Sequence, residues 1–123
     1  LAGIGLPYDA PLLQTTFYMR LFFASMRMLQ GGKEVLLGFN MAISRAFWLK
    51  IRDELCTNEE SIHEDIDLSI HINQAGGRIL RDNLLICPTS ARRTITHPVS
   101  FFWEYPRRTW RTLRIHRADR RSA

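Results

Sequence analysis

Three carboxylates stand within four consecutive positions, Glu64, Asp65 and Asp67, in the segment His63-Glu64-Asp65-Ile66-Asp67-Leu68. A carboxylate at the entrance of a cleft can act as a general base. An alcohol ionises far above neutral pH, so its attack on an electrophilic carbon is helped by a positioned proton acceptor. The plainer reading is that the three acids cap and charge the start of a helix, where the macrodipole favours anions. Spacing alone does not single out one of them as a base. His63 and His97 are isolated in sequence, and lone histidines are more often surface or capping residues than metal ligands. Cys56 and Cys87 lack both metal-ligand and CxxC spacing. They read as two thiols in a reducing compartment, with a single disulfide as the alternative. No residue is therefore assigned as a metal ligand.

The elements that must carry these acids follow from periodicity and breakers. Ile66, Leu68, Ile70 and Ile72 alternate with polar residues, which by period alone indicates a strand. Against this, Ser61 and Glu64 have capping-box spacing and Gly76-Gly77 supplies a stop. The caps favour a helix from about residue 62 to 75, buried on two faces. Leu1–Pro11, rich in Gly and Pro, reads as loop. Leu12–Leu29 reads as a buried or amphipathic helix ended by Gly31-Gly32, with a membrane-surface helix as the alternative. Arg20 and Arg27 interrupt it, so it is not an uninterrupted membrane span. Val35-Leu36-Leu37 reads as a short buried strand before Gly38. Ser44 caps a helix in which Phe47 or Trp48, Ile51 and Leu55 recur at helical intervals, and Cys56–Glu60 reads as a polar connection. Arg78–Arg81 and Leu84–Cys87 read as short strands joined at Asp82-Asn83, the second ended by Pro88. From His97-Pro98 onward, Phe101, Phe102, Tyr105, Trp110 and Leu113 suit a helix broken near Pro106.

With 123 residues, 46% of them hydrophobic and 24% charged, the chain has the composition of one modest globular domain rather than of a disordered segment. The formal net charge of +5 is unevenly placed. From Arg92 onward, nine arginines face only Glu104 and Asp119, so the body of the chain is slightly acidic. Such an end can meet phosphates, acidic lipid or nucleic acid, or be solvated. Residues 1–97 are thus expected to form the body, and 98–123 a basic, aromatic helix or tail.

Gly38-Phe39-Asn40-Met41-Ala42-Ile43-Ser44-Arg45, followed by Glu64–Leu68 (EDxDL), by Gly76/Gly77 and by Thr89-Ser90-Ala91-Arg92-Arg93, resembles the acceptor-side, C-terminal half of family 2 glycosyltransferases. The resemblance covers roughly Leu36 to Arg93. It implies an α/β fold, a partial GT-A-like (nucleotide-diphospho-sugar transferase) fold without its N-terminal nucleotide-binding half. It implies transfer of a sugar from a nucleotide-sugar donor to a glycan or lipid-linked hydroxyl acceptor, with inversion, as in hexosyltransferases that build cell-envelope polysaccharide. Asp65 then corresponds to the catalytic base, with Glu64 beside it on the acceptor side. Gly38 and Asn40 correspond to the loop lining the sugar and acceptor pocket, Asp67 to a residue fixing the helix start or local hydrogen bonding around the substrate. Arg92 and Arg93 would steady the donor diphosphate. The family uses Mg²⁺ or Mn²⁺ on a DxD motif in its nucleotide-binding half. That half has no counterpart here, since the sole acid before Glu34 is Asp9. The expectation is therefore a portion of an enzyme, inactive by itself, cytoplasmic and associated with the inner face of a membrane.

Two other function classes compete. Trp103, Tyr105 and Trp110 interleave with Arg107, Arg108, Arg111 and Arg114, a mix that can stack on bases and neutralise phosphates or sit at an anionic membrane surface. The slightly acidic body and the lack of a nucleic-acid motif disfavour nucleic acid. The blandest class is a structural α/β domain whose acids only cap a helix.

Overall fold

The computed structural model describes residues 1–10, 16–56, 62–92 and 96–122. Ser61 and Arg93 lie outside them. The chain is mixed α/β. Its elements are β1 (Ala2–Pro7), α1 (Thr16–Leu29), α2 (Arg45–Ile51) continued by a 3₁₀ turn (Arg52–Glu54), α3 (Glu64–Gln74), β2 (Arg81–Thr89), a π-helical turn (Ser100–Glu104) and α4 (Tyr105–Ser122).

β1 and β2 form a two-stranded parallel sheet. The N-terminal segment is thus a strand rather than the expected loop. Its apolar residues Ala2, Ile4 and Leu6 do alternate, but glycines occupy the positions between them. Those glycines mark close approach. A Cβ on Gly3 would collide with the Asn40 side chain and the Leu85 carbonyl, and one on Gly5 with the Phe39 ring. The two short strands expected over 78–87 are one strand that begins at Arg81. Ala2 pairs with Arg81 but Ile4 pairs with Ile86, so the Asp82-Asn83 signal marks a bulge rather than a junction. Asp82 Oδ1 accepts the Leu84 N–H at 2.8 Å, the local turn that its sequence suggested. Pro88 does not end the strand. It pairs with Leu6, and because Thr89 accepts the Tyr8 N–H at 3.0 Å, ladder alternation turns the Pro88 nitrogen away from β1, where no donor is needed.

Val35-Leu36-Leu37 is deeply buried, as expected, but it is not a strand. Side chains take the place of a neighbouring strand. Leu36 N–H donates to Ser69 Oγ at 2.8 Å, and Val35 C=O accepts from Arg81 Nη2 at 3.1 Å. Val35 and Leu37 pack with Phe23 of α1, while Leu36 packs with Ala2, Ile51, Leu68 and Ile72. This extended segment thus sits between two apolar clusters, one under α1 and one under α2 and α3.

α3 is a helix, and residues Ile66 to Ile72 are all buried. Alternation failed as a strand signal because buried polar residues within it are taken up by other parts of the fold: Ser69 serves Leu36, and Asp67 serves Cys56 and α4. The start is shifted from the capping-box position. His63 is the N-cap and makes no side-chain cap bond. The stop is as expected: Gly76 has φ +80°, and Gly77 N–H reaches Ile72 C=O at 2.8 Å, a Schellman closure. Ser44 caps α2 through Phe47 N–H, also as expected.

The C-terminal helix is docked, not free in solvent. Thr112 and His116 are buried against the start and middle of α3. Pro106 does not break the helical run. Its missing N–H and its ring are incompatible with the Phe102 carbonyl in a regular α turn, and Ser100–Glu104 are wound as a wider π turn instead.

Candidate functional site

Asp65 sits in the first turn of α3, and its side chain is about 13% exposed. Oδ2 accepts the Gly38 N–H at 3.2 Å, across 27 positions of sequence. Oδ1 lies 3.1 Å from His63 Nδ1 and 2.9 Å from the Ile66 N–H. Burial alone would raise the pKa of this carboxyl. The His63 hydrogen bond and charge, with the Gly38 and Ile66 amides, outweigh it and hold the group below the usual Asp value. Asp65 is thus ionised at neutral pH, with its position fixed from both sides. An added Cβ on Gly38 would meet Asp65 Oδ2 at an ordinary 3.9 Å, so this contact does not by itself require glycine.

The other candidate residues are dispersed around this centre. Glu64 is exposed and stands 3.6 Å from Arg108 Nη2 on α4. Asn40 donates from Nδ2 to Ile4 C=O at 3.1 Å and Leu85 C=O at 2.9 Å. It fills the gap opened by the bulge and ties the 38–41 loop to both strands. Arg92 is exposed. The turn before it is anchored by Asp9, whose carboxylate accepts from Ser90 Oγ and the Ala91 N–H, both at 2.6 Å. Arg93 falls outside the described residues.

Asp67, one turn position further, meets an entirely different set of neighbours. It is 2% exposed. Oδ1 lies 2.6 Å from His116 Nε2, and Oδ2 accepts the Cys56 N–H at 3.0 Å. Burial again works to raise its pKa, but His116, the Cys56 amide and thiol, and the His71 charge outweigh it and lower the value. Asp65 and Asp67 therefore do not converge on one ligand, although a single residue, Ile66, separates them in the manner of a DxD pair. Successive helical positions two apart point about 200° apart around the axis. Asp67 belongs to the packing between α3 and α4, not to the loop at Gly38.

The start of α3 is held from α4 rather than by a capping box. His63 N–H donates to Thr112 Oγ1 at 2.9 Å, Arg108 Nε donates to Ile62 C=O at 3.2 Å, and the His63 and Tyr105 rings lie 4.8 Å apart. Sequence reasoning did not foresee His71, His116, Cys56 or Asp9 as members of any site. A legible signal was present in the four-residue spacing from Asp67 to His71, which places both on one helical face. His116, 49 positions beyond Asp67, gave none. A separate cleft of about 220 Å³, lined by Leu36, Ala42, Phe47, Ile72, Arg78 and Ile79 among others, opens at the C-terminal end of α3, and Asp65 is not in its wall.

No protein-family model matches the chain, and neither characterised proteins nor solved structures provide a match.

Proposed function

We propose that this chain is the acceptor-side portion of a glycosyltransferase domain of the GT-A type, with Asp65 as its general base. One observation carries the reading. The GxN segment and the EDxDL segment, the two motifs that resemble family 2 glycosyltransferases, meet through Asp65 Oδ2 and Gly38 N–H. In the reaction, an acceptor hydroxyl oxygen bonds to the anomeric carbon of the donor sugar as the bond to the nucleotide diphosphate breaks. Asp65 takes the hydroxyl proton, and the diphosphate leaves with its electron pair. The His63 ring and the Gly38 amide orient the carboxylate. They also lower its basicity, so proton transfer is completed as the new bond forms rather than before it.

A divalent cation would neutralise the leaving diphosphate, and no DxD precedes the Gly38 loop to hold it. In the two-stranded parallel sheet, Leu84 and Ile86 are 90% and 52% exposed. Parallel strands are ordinarily covered on both faces. The test is Asp65→Asn in the full-length protein carrying this sequence, assayed with nucleotide-sugar donors. Transfer should fall by about 10²–10⁴-fold, while donor affinity changes less than about twofold. Undiminished turnover removes Asp65 from the mechanism.

A second reading concerns the outer face of α4 and the turn before it. Val99, Phe102, Trp103 and Trp110 are 58–78% exposed, with exposed Arg107 and Arg114 between and beyond them. Aromatic rings beside guanidinium groups on one helical run suit the interface of an anionic bilayer.

A further inference from the structure

Cys56, Asp67, His71 and His116 each offer one donor atom, and the four atoms all lie within 4.8 Å of one another. They come from three places in the chain: the turn after α2, two successive turns of α3, and α4. Asp67, His71 and His116 are buried, and Cys56 is half-buried and not in a disulfide.

His71 is the informative member. The residue is 8% exposed, yet among the described residues neither Nδ1 nor Nε2 has a hydrogen-bond partner. A buried imidazole with two unsatisfied nitrogens is costly unless something else engages them. Nε2 stands 3.7 Å from Asp67 Oδ1, and Nδ1 stands 3.6 Å from Glu54 Oε2. One nitrogen thus faces the cluster and the other faces a carboxylate outside it. That is the arrangement by which carboxylates orient metal-bound histidines. The His71 and His116 rings are 4.9 Å apart at 83°, so their edges converge without stacking.

We infer that Cys56 Sγ, an Asp67 carboxylate oxygen, His71 Nε2 and His116 Nε2 form a four-coordinate zinc site, with Glu54 holding the His71 ring from behind. One thiolate, two imidazoles and one carboxylate form a donor set that zinc prefers. In a tetrahedral site with bonds of about 2.0–2.3 Å, donor atoms sit roughly 3.3–3.8 Å apart, so shifts under about 1 Å close the cluster. On binding, Cys56 releases its thiol proton to solvent, and the proton on His116 Nε2 is released to solvent or, in the neutral ring, exchanged for one on Nδ1, freeing the Nε2 lone pair for the metal. The short Asp67–His116 hydrogen bond is replaced by two bonds to the metal. Four protein ligands leave no open position, so the site is structural: it ties the basic C-terminal helix and the turn after α2 to α3. It is independent of the glycosyltransferase reading, which uses Asp65 and Gly38.

The test uses the purified protein, stripped with a chelator and titrated with Zn²⁺ alone, then with Co²⁺ as a spectroscopic substitute. The expected result is one Zn²⁺ per chain with Kd below about 1 μM at neutral pH. Co²⁺ should give the intense visible bands of tetrahedral coordination and a near-ultraviolet thiolate-to-metal band that Cys56→Ser abolishes. Zn²⁺ should slow alkylation of Cys56 at least about tenfold while leaving Cys87 unchanged, a control within the same molecule. His71→Gln should weaken Zn²⁺ binding by more than about tenfold, with the circular dichroism of the metal-free variant matching that of the metal-free parent. Octahedral Co²⁺ without a thiolate band, equal alkylation of Cys56 with and without Zn²⁺, or full affinity in His71→Gln would each overturn the site. Should His71→Gln fail to fold, the Co²⁺ spectrum and the alkylation of the parent protein still decide.

Discussion

Acids of one chemical type are placed by their neighbours into three different tasks. Asp65 faces the Gly38 amide and the His63 ring, Asp67 faces His116 and Cys56, and Asp9 holds the turn that closes the sheet. Asp9 gives the clearest pH prediction. The Ser90 hydroxyl and then the Ala91 amide hold its carboxyl below the ordinary value of 3.8. A lowered folded-state pKa means that its contribution is fully present above the unfolded value and is lost as pH falls through the lower, folded one. Hydrogen-exchange protection of the Ala91 amide, corrected for intrinsic rates, should therefore hold down to about pH 4 and decline below it. Asp9→Asn should flatten that decline. Unchanged pH dependence in Asp9→Asn would mean that the turn is held by something else.

At the scale of elements, the placement of Asp65 depends on how α3 is gripped at its start. The N-cap side chain contributes no cap bond, and α4 supplies Thr112 and Arg108 instead. Thr112 is fully buried, and its hydroxyl both accepts from His63 N–H and donates to Arg108 C=O at 2.9 Å. Thr112→Val keeps the shape and leaves the His63 amide without a partner. It should lower unfolding free energy by about 1–3 kcal/mol in urea titration, whereas Thr112→Ser should lose less than about 1 kcal/mol. A larger loss in Thr112→Ser than in Thr112→Val would assign the effect to the methyl contacts rather than to the hydroxyl. The basic helix is therefore a structural support for the site as well as a charged surface. Its inward face carries Arg108, Thr112 and His116 at four-residue intervals, and its outward face carries Arg107, Trp110 and Arg114, with exposed Trp103 in the turn before it.

For the molecule as a whole, positive charge and exposed aromatic surface coincide on the α4 side. Among the described residues, no helix is long and apolar enough to cross a membrane. Surface attachment is a separate matter, governed by the Trp103 and Trp110 rings and the arginines beside them. Vesicles containing about one-third anionic lipid should bind the protein and shift its tryptophan emission to the blue, whereas neutral vesicles should not. Raising salt from about 50 to 500 mM should weaken binding strongly, because the Debye length shrinks to a few ångströms. Trp103→Ser with Trp110→Ser should remove most of the binding. Tighter binding to oligonucleotides than to anionic vesicles would favour the nucleic-acid alternative.

What the sequence determined by itself is local. Gly76-Gly77, Ser44 and the Gly31-Gly32 stop after the breaker-free run to Leu29 act through backbone geometry within a few residues, so those stops and caps could be read directly. Alternation misled in both directions for one physical reason. It reports which side chains differ in polarity, but not what each will meet. In α3 the polar positions Asp67, Ser69 and His71 are buried along with the apolar ones, and in β1 the strand is masked by glycines that make room for Phe39 and Asn40. Pro88 likewise looked like a terminator because the side from which β1 would approach is not written in the chain. The three-acid segment at 64–67 was visible from spacing and resemblance. That Asp65 turns toward Gly38 while Asp67 turns toward His116 was decided only by the tertiary structure. Contacts spanning 27 and 49 residues depend on which helix packs where, and no pattern within a few turns encodes that.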